Sequence, residues 1–109
     1  MIESELRRAL VGRCRDVRLF VRNVGVFRLD GGRVFRAGIK GQADVFGFTR
    51  DGRAIEIEIK TKRGKLSPEQ IAWRDFCLAW NVIYLLLEAH DDADPIDRWC
   101  AEIRSRICP

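Results

Sequence analysis

The run Ile55-Glu56-Ile57-Glu58-Ile59-Lys60 alternates apolar and charged residues without a break. Successive side chains of an extended strand point to opposite faces, so the three isoleucines share one face and Glu56, Glu58 and Lys60 share the other. On alternation alone, the simpler reading is a solvated sheet face crossed by ion pairs, because antiparallel sheets often keep one wet side. A nearby acid widens the chemistry on offer. Asp44 lies near the start of the apolar run 43–49, just after the glycine-bracketed loop Gly38-Ile39-Lys40-Gly41-Gln42. An Asp and a Glu converging across two strands make a hard, oxygen-rich site that suits Mg²⁺ or Mn²⁺. Lys60, two residues beyond Glu58, points the same way. It can orient or deprotonate a water, or offset charge on a pentavalent phosphorus. Metal, water and ammonium together are what phosphodiester hydrolysis requires.

Whether Asp44 meets Glu58 depends on the hairpin between them. A two-residue turn at Asp51-Gly52 sets Asp44 opposite Ile59, on the wrong face. A three-residue loop, Arg50-Asp51-Gly52, shifts the register by one and sets Asp44 opposite Glu58. Such loops pair a type I turn with a left-handed residue, so this register expects positive φ at Gly52. It also puts Phe46 and Phe48 on the Glu56 side, which calls for a further bulge or a covering helix.

The surrounding elements follow from pattern. Residues 3 to about 15 read as an amphipathic helix, with Leu6, Ala9, Leu10 and Arg13 at helical spacing. Residues 17–21 extend that helix or begin a strand. The runs 24–29 and 33–37 flank Asp30-Gly31-Gly32, a hairpin signal. Ser67, Pro68 and Gln70 are an N-cap, a first-turn proline and a capping-box partner, and the helix they start runs to about Trp80, with Asn81 as its stop. Residues 82–87 are almost wholly apolar, which suits a buried central strand. Strand, helix, strand in that order implies a parallel crossover. Pro95 then begins a short helix carrying Trp99 and Ile103. Helix, four strands, helix, strand, helix describes an α/β or mixed α+β fold, a central mixed sheet flanked by helices.

The chain has 109 residues, enough for one domain over 1–109 and too few for two. Its net charge of +4 permits a polyanionic partner without proving one. Arginine far outnumbers lysine, which suits bidentate phosphate contacts and equally suits a GC-rich genome. Cys14, Cys77, Cys100 and Cys108 form no C-x-x-C pair, so a zinc site is not expected. Neither a secretion signal nor a run of membrane length is present, and a reduced cytoplasmic protein with free thiols is expected, with no membrane association.

Asp44 followed by Glu58-Ile59-Lys60 has the Asp…Glu-x-Lys form of the PD-(D/E)XK nuclease superfamily. Three stretches are more specific: residues 38–44, Glu58-Ile59-Lys60-Thr61, and Gly64-Lys65-Leu66-Ser67-Pro68-Glu69-Gln70. Together with Arg22-Asn23-Val24-Gly25 upstream, they resemble the VRR-NUC domain, above all its short standalone forms from phages and bacteria. The resemblance covers the chain from about Glu3 to Leu87. It implies a restriction-endonuclease-like core and a Mg²⁺ ion, with Mn²⁺ as a substitute, held by Asp44, Glu58 and the carbonyl of Ile59. It makes Lys60 the base or water-positioning group and Gln70 the motif glutamine of the following helix. An acid on the first helix usually joins such sites; Glu3 is the better candidate and Glu5 the runner-up. Ala43 stands where the superfamily name has Pro, a position that VRR-NUC members commonly vary.

The resemblance further implies a DNA endonuclease that works as a homodimer on branched DNA such as four-way junctions. A two-fold dimer offers two matching sites for two symmetric cuts. Lys62, Arg63 and Lys65, with Lys40, are the expected phosphate contacts. Other targets, namely flaps, single strands or linear duplex, stay open, as does a non-catalytic nucleic-acid-binding module. Plainer roles stand beside the catalytic ones. Gln70 serves a capping box, Glu3 a helix dipole, Glu56 an ion pair with a surface arginine, His90 a loop, and Trp73, Trp80 and Trp99 core or interface.

Overall fold

A computed structural model of the chain describes residues 1–23, 25–61 and 64–108. In order, the elements are α1 (Glu3–Arg13), β1 (Val17–Val21), β2 (Gly25–Arg28), a 3₁₀ turn (Asp30–Gly32), β3 (Val34–Ala37), β4 (Val45–Thr49), β5 (Ala54–Lys60), α2 (Pro68–Ala79), β6 (Ile83–Glu88) and α3 (Ile96–Ile107). Strands β1, β4, β5 and β6 form the central sheet in that order. Strand β4 is antiparallel to both of its neighbours, β1 and β5, and β6 runs parallel to β5. The fold is mixed α+β.

Residues 17–21 are a strand, not an extension of α1. Val17 and Leu19 are buried while Arg18 and Phe20 are exposed, and this period of two pairs the segment with β4 as an edge strand. Five strands therefore precede α2 where four were expected. Hairpin β2–β3 forms a separate two-stranded sheet. Its Val26, Phe27 and Val34 are exposed.

The core forms where the period-two pattern puts it. Ile55, Ile57 and Ile59 meet Leu85 and Leu87 of β6 on one face of the sheet, under Leu6 and Leu10 of α1 and Ile96, Trp99 and Ile103 of α3. Each such side chain, fully buried, contributes roughly 1.5–3 kcal/mol. The opposite face is covered in part by α2, whose Cys77 packs with Ala43 and Tyr84, flanked by Trp73. The helix N-terminus is a complete capping box: Ser67 accepts from the Gln70 N–H, and the Gln70 side chain accepts from the Ser67 N–H. Asn81, at φ 61°, ends it.

The hairpin between β4 and β5 has the three-residue loop. Val45 pairs Ile57 and Phe46 pairs Glu56, and Gly52 has φ 86°. Thr49 closes the turn through its N–H to the Arg53 carbonyl and its hydroxyl, which accepts from the Arg53 N–H. One step beyond the paired residues, Asp44 lies opposite Glu58. The ladder needs no bulge for Phe46, nor does a helix alone cover it. Phe46 stacks on Phe20 of β1 with ring centres 5.5 Å apart and carries the Arg22 guanidinium 4.5 Å above its face. Phe48 is left half in solvent.

Candidate active site at the open end of β4 and β5

Asp44 sits just before β4, where its carboxylate takes over from the ladder. Its Oδ2 accepts the Ile59 N–H at 3.0 Å, and its Oδ1 accepts from Arg7 Nη2 at 3.0 Å. The Ile59 carbonyl lies on the same strand edge as its N–H, the edge facing Asp44. The loop before Asp44 is held tightly. Gly41 has φ +93°, and a Cβ there would lie 2.3 Å from the Glu69 carbonyl oxygen in the first turn of α2.

Glu58 projects from β5 beneath α2, with only 4% of its side chain exposed. Its Oε1 accepts from Gln70 Nε2 at 3.0 Å. Lys60 Nζ lies 3.9 Å from the same oxygen and donates to Gln70 Oε1 at 3.3 Å. Burial first, then the charge of Asp44, pushes the Glu58 carboxyl up to about 8, against the opposing pull of Lys60. Two carboxylates are thus crowded together in a poorly solvated place, which is where a cation is most favourable.

Gln70 closes the capping box read for it and also reaches the Glu58 carboxylate. Its Oε1 accepts the Ser67 N–H at 2.9 Å, and its amide nitrogen holds Glu58. Of the two first-helix acids, Glu3 is the one felt at Glu58; Glu5 points to solvent. Glu3 reaches Asp44 only through Arg7, whose Nη2 bonds both carboxylates. Pattern reading passes over Arg7, because Glu3 and Arg7 form an ordinary i, i+4 pair until the position of Asp44 is known.

Glu56 is fully engaged elsewhere. Arg22 grips both of its oxygens and Trp73 Nε1 donates to Oε1 at 2.8 Å. The partner is an arginine as expected, but a largely buried one rather than one on the surface. Trp99 is core, and Trp80 is 71% exposed. His90 is an exposed turn residue at φ 53°.

Lys40 is exposed and lies 3.4 Å from Glu69. Lys65 lines an open groove with Gly64, Glu88 and His90, at the end of β6 where Glu88 pairs with Lys60. Lys62 and Arg63 lie outside the described residues, as does Val24 of the upstream segment.

Among the described residues, no three His, Cys, Asp or Glu side chains are gathered as a metal cage. Asp44 and Glu58 nevertheless suit a hard divalent ion, which tolerates two carboxylates and completes its shell with carbonyl and water oxygens. The donors are all oxygen, and their mutual repulsion is what such an ion would offset. No protein-family model and no curated protein matches the chain.

Proposed function

We propose that the chain is a divalent-metal-dependent nuclease of the PD-(D/E)XK type, similar to VRR-NUC domains, that hydrolyses phosphodiester bonds in DNA. The observation that carries this reading is the meeting of Asp44, Glu58 and Lys60 at one strand end, with Gln70 bonded to both Glu58 and Lys60. Asp44, Glu58 and the Ile59 carbonyl would hold Mg²⁺ or Mn²⁺, which when bound supplies Lewis-acid activation of phosphate and water. Lys60, steadied by Gln70, presents an ammonium that can orient the attacking water and offset charge developing on the phosphate oxygens. Gln70 fixes the Glu58 carboxylate. Lys65 and Lys40, with Lys62 and Arg63, would touch backbone phosphates without reading sequence.

The proposed substrate is branched DNA cut by a homodimer. Phe76 is half exposed towards the end of α2 and its ring lies against those of Trp73 and exposed Trp80, an apolar surface of the kind an isologous dimer covers. The test is cleavage of a panel of four-way junctions, flaps, single strands and duplexes, with the mass of the protein measured in solution. Preferential cutting of junctions by a dimer supports the proposal. Equal cutting of every substrate keeps the chemistry and removes the branch preference.

A further inference from the structure

Both oxygens of Asp44 are already spoken for: Oδ2 by the Ile59 N–H and Oδ1 by Arg7. The Ile59 donor is fixed in the backbone of β5. Arg7 is different. Its Nη2 alone bridges Glu3 and Asp44, placing one positive charge between two carboxylates. Its Nε is buried without a hydrogen-bond partner among the described residues. An unsatisfied buried donor is unfavourable, so this pose is held by the carboxylates at the expense of Nε. The side chain is 29% exposed, so it has a route to water where Nε would find a partner. Lys60 has no such conflict, because Gln70 and Glu58 hold it from one side.

We infer that Arg7 is the resident counter-cation of the site, displaced from Asp44 when a divalent ion binds, and that it sets the site's affinity for that ion. This rests on the proposed metal site. Arg7 and the ion claim the same oxygen, so the two are negatively coupled, and the coupling is reciprocal. Removing Arg7 therefore tightens metal binding. A merely structural Arg7, needed to aim Asp44, has the opposite signature, because its removal loosens the ligand.

The experiment is Mn²⁺ titration by calorimetry of the whole chain, in wild type, Arg7→Met and Arg7→Lys. Arg7→Met is expected to bind Mn²⁺ roughly tenfold tighter than wild type. Arg7→Lys, which keeps the charge without the fork, should fall between them. In parallel, the Nε–Hε NMR signal of Arg7, assigned by its loss in Arg7→Met or Arg7→Lys, should shift when saturating Mg²⁺ is added to wild type. This second readout serves if Arg7→Met does not fold. Unchanged or weaker Mn²⁺ binding by folded Arg7→Met, or an unmoved Nε–Hε signal, overturns the inference and leaves the nuclease reading standing. Absence of Mn²⁺ binding in wild type removes the metal site, and the inference with it.

Discussion

Gln70 Nε2 lies 3.0 Å from Glu58 Oε1 while the other end of the same amide closes the capping box of α2. One side chain thus ties the start of a helix to a carboxylate on the strand beneath it. The two duties separate by mutation. Ser67→Ala removes the cap and is expected to cost about 1 kcal/mol of stability, with cleavage close to wild type. Gln70→Glu keeps a cap acceptor but replaces the amide donor with a like charge. Its activity should fall roughly 10–100-fold, the usual consequence of losing a partner that orients a ligand. Thermal melts and initial rates on the same samples decide this. Equal losses of activity in both variants would make Gln70 only a cap.

Glu58 gives the stability a definite pH dependence. Its carboxyl is pushed from an ordinary 4.5 to about 8, by burial and then by Asp44. Between those values the folded chain keeps a proton that the unfolded chain has released, so rising pH favours unfolding. The stabilising share is complete below about 4.5 and is lost as pH climbs through about 8. In EDTA, Tm of the wild type should therefore fall across this window more steeply than that of Glu58→Gln, which cannot ionise. Parallel slopes would contradict this placement of Glu58.

The Arg22–Glu56 pair should behave as a buried ion pair. Arg22→Met leaves the Glu56 charge facing Trp73 without its cation and is expected to cost about 3–5 kcal/mol. Adding Glu56→Gln, which still accepts from Trp73, should recover a sizeable part. Denaturant unfolding of the two singles and the double measures the coupling. Additive losses would show that the pair contributes nothing as a pair.

Gly41→Ala places a methyl against the Glu69 carbonyl at a backbone angle that disfavours side chains, so it should cost more than ~1 kcal/mol and weaken Mn²⁺ binding by displacing Asp44. Gly12→Ala, in open space on α1, is the control and should be neutral or stabilising by up to about 1 kcal/mol. Matching melts for the two variants would refute the role given to the Gly41 loop.

What the sequence made legible was local. The Ile-Glu alternation marked β5 and its two faces, and Ser67-Pro68 marked the start of α2; the hairpin residues allowed two registers, and only the candidate site singled out the three-residue loop that faces Asp44 with Glu58. What it hid was non-local. Residues 17–21 are too short a run to choose between helix and strand until β4 lies beside them. The turn at Asp30-Gly31-Gly32 marks a hairpin but says nothing of its standing apart from the main sheet. Arg7 and Arg22 are two arginines among many in sequence, and acquire partners only when the sheet brings Asp44 and Glu56 to them.

The central claim is that Asp44, Glu58 and Lys60 form a metal-dependent phosphodiesterase site. The most direct measurement is cleavage of a synthetic four-way junction with Mg²⁺, Mn²⁺ or EDTA, comparing wild type with Lys60→Ala. Cutting that needs the metal and that Lys60→Ala loses by about 100-fold or more is the expected result. Cutting that persists in EDTA, or that folded Lys60→Ala performs at the wild-type rate, would contradict the account.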